Sequence, residues 1–194
     1  MPVTRLARRG VLRAIAFAAI ACAVLQPTHP RLARADEARA SGEGIRPLVA
    51  GVWISGQISP ADMGQLQAQG IEAIVAVRPD GEEAGQPSSA AIEAAARAAR
   101  LRFSYAPITG KNVPQDAVDA VGRELARPGN TVLVYCRSGQ RATRAWALAE
   151  ASRADGLEPE AIESVAESAG HPVGDLHDEI AARVATRAAL GGRR

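Results

Sequence analysis

The chain has 194 residues with 23 basic and 21 acidic side chains, a formal net charge of +2, and 47% hydrophobic residues. Residues 1–35 hold six arginines and no acid, so the remaining residues carry 17 basic against 21 acidic side chains. Because a folded part with net negative charge offers no basic stripe, we expect no nucleic-acid partner. The chain beyond residue 35 is long enough for one domain with a buried core.

Residues 1–35 have the features of an export signal. Arg8 and Arg9 form a twin-arginine pair ahead of the apolar run 14–25, which is shorter than the roughly 20 residues of a membrane span. Ala33-Arg34-Ala35 is a small-x-small cleavage site. We predict a twin-arginine signal peptide over 1–35, a periplasmic or secreted location, and no membrane attachment after cleavage. An uncleaved membrane anchor is the alternative.

Strand and helix patterns alternate along the rest of the chain. Strands are predicted within 48–58 and over 72–77, 102–107 and 131–135; helices are predicted over 61–69, 88–100, 114–126 and 142–151, with two more within 158–190 that are broken near His171 and Pro172. Residues 36–44 read as a polar linker. We therefore predict a single α/β domain over 45–190, with a mostly parallel central sheet flanked by helices and ligands bound beyond the carboxyl ends of its strands.

An anion-binding loop is predicted between the strand at 131–135 and the helix at 142–151. Cys136 ends the strand, and the helix N-terminus turns unpaired backbone amides toward a bound oxyanion. The same field, with Arg141 nearby, favours the nucleophilic Cys136 thiolate, and the Arg141 guanidinium can contact two anion oxygens. The predicted anion-binding residues are Arg137, Ser138, Gly139 and Gln140. The alternative is a buried cysteine that only packs at the end of a strand.

Three segments in order resemble a known family: WISGQISPADM, IVAVRPDGEEAGQPSS and YCRSGQRATRAWALAE. They are similar to the beta-lactamase hydrolase-like, phosphatase-like domain family, whose fold is that of dual-specificity protein phosphatases. The resemblance covers about residues 44–183 and implies Cys136 as nucleophile and Arg141 as anion ligand. Family members are described both as phosphatases and as rhodanese-like sulfurtransferases. We expect no cofactor and no metal, because His171 and His177 have no cysteine near them in sequence.

Two departures favour sulfur transfer. Four residues separate Cys136 from Arg141, whereas phosphatases of this fold have five, and Ala142 stands at the expected arginine position. Residues 109–112 lack the carboxylate that phosphatases usually carry there. The favoured hypothesis is a rhodanese-type sulfurtransferase. A small anionic sulfane donor forms a Cys136 persulfide, and an external thiol acceptor removes the sulfur.

Two other functions remain open. A phosphatase would form a thiophosphoryl intermediate on Cys136, with Asp80 as a possible general acid. Glu82 and Glu83 of the same loop could also supply the acid, but the favoured interpretation of this loop is a solvated turn. Arg78 could contact the anion or form a surface ion pair with Asp80 or Glu82. The last alternative is a catalytically silent anion-binding module.

Overall fold

Five short strands form the central sheet in the computed structural model, which describes residues 44–191. They are β1 (Arg46–Val49), β2 (Val52–Ser55), β3 (Ala73–Ala76), β4 (Arg102–Tyr105) and β5 (Val132–Tyr135). Their spatial order is β1-β2-β5-β3-β4. The β1–β2 pairing is antiparallel, and the β2–β5, β5–β3 and β3–β4 pairings are parallel. The sheet is thus mixed and mostly parallel.

Helices cover both faces of this sheet. Within residues 44–191 they are α1 (Met63–Ala68), α2 (Ser89–Ala98), α3 (Gln115–Leu125), α4 (Gln140–Ser152), α5 (Pro159–Ser168) and α6 (His177–Gly191). Short 3-10 turns precede α1 and α6. Ser88 caps α2, since the backbone N–H of Ala91 donates to Ser88 Oγ at 3.2 Å.

The predicted signal peptide over 1–35 lies outside the described residues, so export stays a prediction. None of the helices between residues 44 and 191 has the length and apolar character needed to cross a membrane.

The segment predicted to contain a strand within 48–58 is a tight hairpin of β1 and β2. Gly51 lies at the turn with a φ of +77°, in the left-handed region that glycine adopts without strain. A Cβ there would lie 2.9 Å from the carbonyl oxygen of Asn130. The reversal of the chain therefore depends on glycine, and it places the antiparallel β1 at the edge of the sheet.

The alternating side chains of β5 connect the two halves of the core. Val132 and Val134 pack in the cluster that contains Trp146 of α4, whereas Leu133 and Tyr135 pack in the cluster formed with α1 and α2. A strand buried on both faces reads as a continuous apolar run, and this is the pattern that predicted β5.

Helix α4 is buried over nearly its whole length. Residues 142–151 are all buried, and the helix packs against α3, α5 and α6. Two of its buried charged members have partners: Arg144 Nη1 donates to Asp175 Oδ1 at 2.7 Å, and Glu150 Oε2 accepts from Arg153 Nη1 at 3.0 Å. The N-terminus of α4 is therefore held firmly relative to the sheet.

Three parallel strands end together at the edge of the sheet that faces this helix N-terminus. Ser55 of β2 and Ala76 of β3 are both in register with Tyr135 of β5. The segments that follow these strands contain Gln57, Arg78 and Cys136, so residues from three parts of the sequence meet at one edge.

Candidate active site

Cys136 lies at the floor of the loop between β5 and α4. Its side chain is buried, and its backbone N–H donates to the carbonyl oxygen of Ser55 at 3.3 Å. The backbone N–H of Gly139 donates to Cys136 Sγ at 3.2 Å. Because α4 begins at Gln140, the sulfur lies at the positive end of the helix dipole. This arrangement stabilises negative charge on the sulfur.

Gly139 shapes the loop through its backbone conformation. Its φ of +100° lies in the left-handed region, and its carbonyl oxygen accepts hydrogen bonds from the backbone N–H and Oγ1 of Thr143 at 2.9 and 3.0 Å. A Cβ at this position would lie 2.5 Å from His171 Nε2. Both the backbone angle and the imidazole therefore exclude a larger residue.

We expect Gly139→Ala to lower the free energy of unfolding by at least about 1–2 kcal/mol, because the left-handed conformation and the contact with His171 both oppose a methyl group. Gly122→Ala is the matched control, since Gly122 lies in α3 and a Cβ added there would have no atom within 4 Å. There alanine is expected to be neutral or stabilising by about 0.5–1 kcal/mol. Urea unfolding measures both variants, and equal effects would contradict the assigned role of Gly139.

Arg141 lies beside the Cys136 sulfur, and its guanidinium is engaged by a carboxylate. Nη1 lies 2.7 Å from Glu82 Oε1, Nη2 donates to Glu82 Oε2 at 2.8 Å, and Nη1 also donates to the Ile108 carbonyl oxygen at 2.9 Å. Its hydrogen bond to Glu82 raises the pKa of Arg141; burial opposes this effect, and the charge of the nearby Cys136 thiolate adds to it. The predicted nucleophile and the predicted anion ligand are therefore adjacent.

Arg78 is a second guanidinium at the same place. Its side chain is 3% exposed, so it is not a surface residue. Nε donates to Glu82 Oε2 at 2.8 Å, Nη1 to Gln57 Oε1 at 2.8 Å, and Nη2 to Glu83 Oε2 at 3.0 Å. A buried charge needs such a set of partners. Of the two predicted ion-pair partners, Glu82 is in contact with Arg78.

Glu82 thus bridges the two arginines. Its hydrogen bond to Arg141, against the opposing effect of burial and with help from Arg78, lowers the pKa of Glu82 from 4.5 to about 2. Because this pKa is depressed in the folded state, the carboxylate stabilises the fold above its ordinary pKa, and that contribution is lost as the pH falls toward 2. At neutral pH Glu82 is an anion.

Asp80 lies in the same loop but is bound to the start of α2. Its Oδ1 accepts from the Ser89 backbone N–H at 2.7 Å, and its Oδ2 accepts from Ser89 Oγ at 2.6 Å. The backbone N–H of Asp80 donates to Tyr105 Oη at 3.0 Å. These contacts favour a role in fixing the loop, and a general-acid role for Asp80 stays a hypothesis.

The segment after β4, where phosphatases usually carry an acid, is fixed in place. Residues 109–112 contain no carboxylate. The carbonyl oxygen of Lys111 accepts from Arg144 Nη2 at 2.8 Å, and the Arg141 contact to Ile108 lies just before it. The segment is therefore anchored through two carbonyl groups and offers no acidic side chain.

The other predicted anion-binding residues are in the loop, with their side chains directed to different partners. Arg137 and Ser138 are exposed, and Arg137 Nε lies 3.6 Å from Glu83 Oε2. Gln140 Nε2 donates to the carbonyl oxygen of Pro172 at 3.0 Å. For these residues the backbone amides, rather than the side chains, are the groups suited to an oxyanion.

Sequence reasoning did not anticipate two neighbours of the site. One is Glu82 as the partner of Arg141; the four-residue spacing from Arg78 was the available signal. The other is His171, whose imidazole packs on Gly139 and whose Nε2 lies 3.3 Å from Arg46 Nη2. Burial, followed by the charge of Arg46, lowers the pKa of His171, which favours the neutral ring.

Across residues 44–191 no group of three His, Cys, Asp or Glu side chains is placed to hold a metal ion.

More than half of the chain is similar to a known protein family. Residues 44–153 match the family described as beta-lactamase hydrolase-like protein, phosphatase-like domain. A beta-lactamase hydrolase-like protein of Xylella fastidiosa is 38% identical over 97 residues, which are 50% of this chain and 22% of that protein. The chain therefore spans less than a quarter of that relative's length.

Solved structures show the same fold. A candidate phosphatase from Neisseria meningitidis is 29% identical, with a TM-score of 0.58, covering 70% of this chain and 95% of its own. PTPMT1 is 15% identical, with a TM-score of 0.60, covering 77% of this chain and 99% of its own. The predicted single α/β domain with the fold of dual-specificity phosphatases is confirmed.

Proposed function

Because the chain belongs to the family of beta-lactamase hydrolase-like proteins, phosphatase-like domain, we propose that it is a cysteine-dependent phosphatase acting on small phosphate esters. The observation that carries the proposal is the Cys136 sulfur with the Gly139 N–H at 3.2 Å and the Arg141 guanidinium beside it. The likeness to the Neisseria protein supports phosphatase chemistry better than it supports sulfur transfer.

The proposed reaction has two steps. The Cys136 thiolate attacks phosphorus, an S–P bond forms, and the P–O bond to the leaving group breaks with its electron pair going to that oxygen. Loop amides and Arg141 stabilise the charge on the phosphoryl oxygens. Water then attacks the thiophosphoryl group, which releases phosphate and restores the thiolate.

The proposed substrates have leaving groups that need little protonation. Residues 109–112 carry no carboxylate, and Asp80 already accepts two hydrogen bonds from Ser89. An aryl oxide leaves readily without a general acid, whereas an alkoxide does not. We therefore propose aryl phosphates as better substrates than alkyl phosphates.

Phosphate release from p-nitrophenyl phosphate tests this function. We expect turnover by the wild-type protein well above that of Cys136→Ser, and slower release from an alkyl phosphate at the same concentration. Phosphate release at the level of the Cys136→Ser variant for both esters would reject the phosphatase.

A second candidate function is sulfur transfer, which the four-residue spacing between Cys136 and Arg141 favours. Here the thiolate attacks the outer sulfur of thiosulfate, sulfite leaves, and an external thiol or cyanide takes the sulfur from the persulfide. Intact mass after thiosulfate treatment tests this candidate. One added sulfur atom, removed by cyanide and absent from Cys136→Ser, is the expected result if it holds.

A further inference from the structure

The carboxylate of Glu82 lies where two arginines converge. Oε1 is 2.7 Å from Arg141 Nη1, while Oε2 accepts from Arg141 Nη2 at 2.8 Å and from Arg78 Nε at 2.8 Å. Two parallel contacts from one guanidinium are also the geometry by which arginine binds a phosphate group. Glu82 therefore uses the same donors that an oxyanion beside Cys136 would use.

The site is closed while this contact exists. Cys136 is buried, and the Arg141 side chain is 16% exposed. A phosphate ester that brings its phosphorus to the Cys136 sulfur needs hydrogen bonds from the Arg141 guanidinium. The N–H groups that would form them are bound to Glu82. Access of an anion to both groups therefore requires the Glu82 carboxylate to move away.

The loop that carries Glu82 is suited to such a movement. Gly81 and Gly85 flank it with φ values of +72° and +79°, and neither has an atom within 4 Å of a Cβ position. Residues 80–85 are exposed, whereas Asp80 is bound to Ser89 at one end and the Gln86 side chain donates to the Pro79 carbonyl oxygen at 2.8 Å at the other. With fixed ends and unobstructed glycines, the tip can rotate once its ion pairs with the arginines break.

We propose that Glu82 is an internal anion that occupies the donors of Arg141 and Arg78 until a substrate oxyanion displaces it, so that Glu82 determines which anions enter the site. The inference rests on the proposed function for the identity of the substrate, a phosphate ester. A dianion with three free oxygens competes with one carboxylate more strongly than a monoanion does, because it gains more from two guanidinium groups. In the arrangement described, Glu83 of the same loop is also a partner of Arg78.

Binding of inorganic phosphate, measured by titration calorimetry at a pH where the dianion predominates, tests the proposal. Glu82→Gln removes the competing charge and keeps the side-chain size, and we expect it to bind phosphate about tenfold more tightly than the wild type. Glu83→Gln is the matched control: it lies in the same loop and contacts Arg78 and Arg137, and its change in affinity is expected to stay below about threefold.

Thermal unfolding confirms that each variant is folded, and Glu82→Asp provides a second variant. Aspartate keeps the charge but is one methylene too short for the paired contact, so its phosphate affinity is expected between those of the wild type and Glu82→Gln. Equal or weaker phosphate binding by both Glu82 variants, including no binding at all, would overturn the proposal. Phosphate binding can be measured without turnover. If the wild-type protein has no phosphatase activity but Glu82→Gln still binds phosphate more tightly, the proposed phosphatase function is rejected and the proposal for Glu82 is retained.

Discussion

Replacing Cys136 with serine is expected to lower phosphate release from p-nitrophenyl phosphate on the order of a thousandfold or more. Serine is nearly isosteric, and its Oγ can still accept from the Gly139 N–H, but a hydroxyl group is a far weaker acid than a thiol and therefore a much poorer nucleophile. The free energy of unfolding is expected to change by less than about 1 kcal/mol, since no cavity forms. Steady-state kinetics and urea unfolding measure the two effects separately.

The other cysteine of the sequence, Cys22, supplies the control for this substitution. Cys22→Ser makes the same chemical change in the full chain, and its turnover is expected to equal that of the wild type. If Cys136→Ser keeps more than a tenth of the wild-type rate, Cys136 is not the nucleophile, and the two covalent mechanisms fail together.

Arg141→Lys is expected to lower kcat/KM about a hundredfold. Lysine keeps the charge but offers no planar fork, so it cannot contact two phosphoryl oxygens at once. It also cannot reproduce the donation of Nη1 to the Ile108 carbonyl oxygen, which positions the guanidinium. The measurement is the initial rate at substrate concentrations well below KM.

Arg97→Lys serves as the matched control for Arg141. Arg97 is 79% exposed on α2 and pairs with Glu93 at 2.7 Å, in the arrangement of a surface helix pair. Its replacement is expected to leave kcat/KM unchanged. A loss of less than about threefold for Arg141→Lys would show that a point charge is sufficient and that the fork is not used.

The strand, loop and helix around Cys136 could be predicted from the sequence because they are contiguous. The apolar run of β5, the glycine in the loop and the helical spacing of α4 lie within about 20 residues, so strand, loop and helix could be derived without knowledge of the rest of the fold. The mostly parallel sheet followed from the alternation of strands and helices. Residues 48–58 are predicted only to contain a strand, because Gly51 reverses the chain between two runs of similar composition.

Contacts between distant loops could not be derived in the same way. Glu82 and Arg141 are 59 positions apart, and they meet because β3 and β5 are neighbours in the sheet, which sequence periodicity does not specify. The sequence therefore predicts the loop of Arg78 as a solvated turn or an acid source, whereas Glu82 of this loop contacts Arg141. The preference for sulfur transfer rested on loop spacing and a missing carboxylate, and the comparisons favour the phosphatase.

The burial of α4 on all sides limits which residues around the site can change by mutation. A helix enclosed by α3, α5, α6 and the sheet tolerates few substitutions, because each change in volume must be absorbed by several neighbours at once. The buried Cys136 and the amides of its loop thus form a fixed unit of the fold. Residues 80–85 after β3 form an exposed loop, so new ligand preferences can arise there by mutation without disturbing this unit.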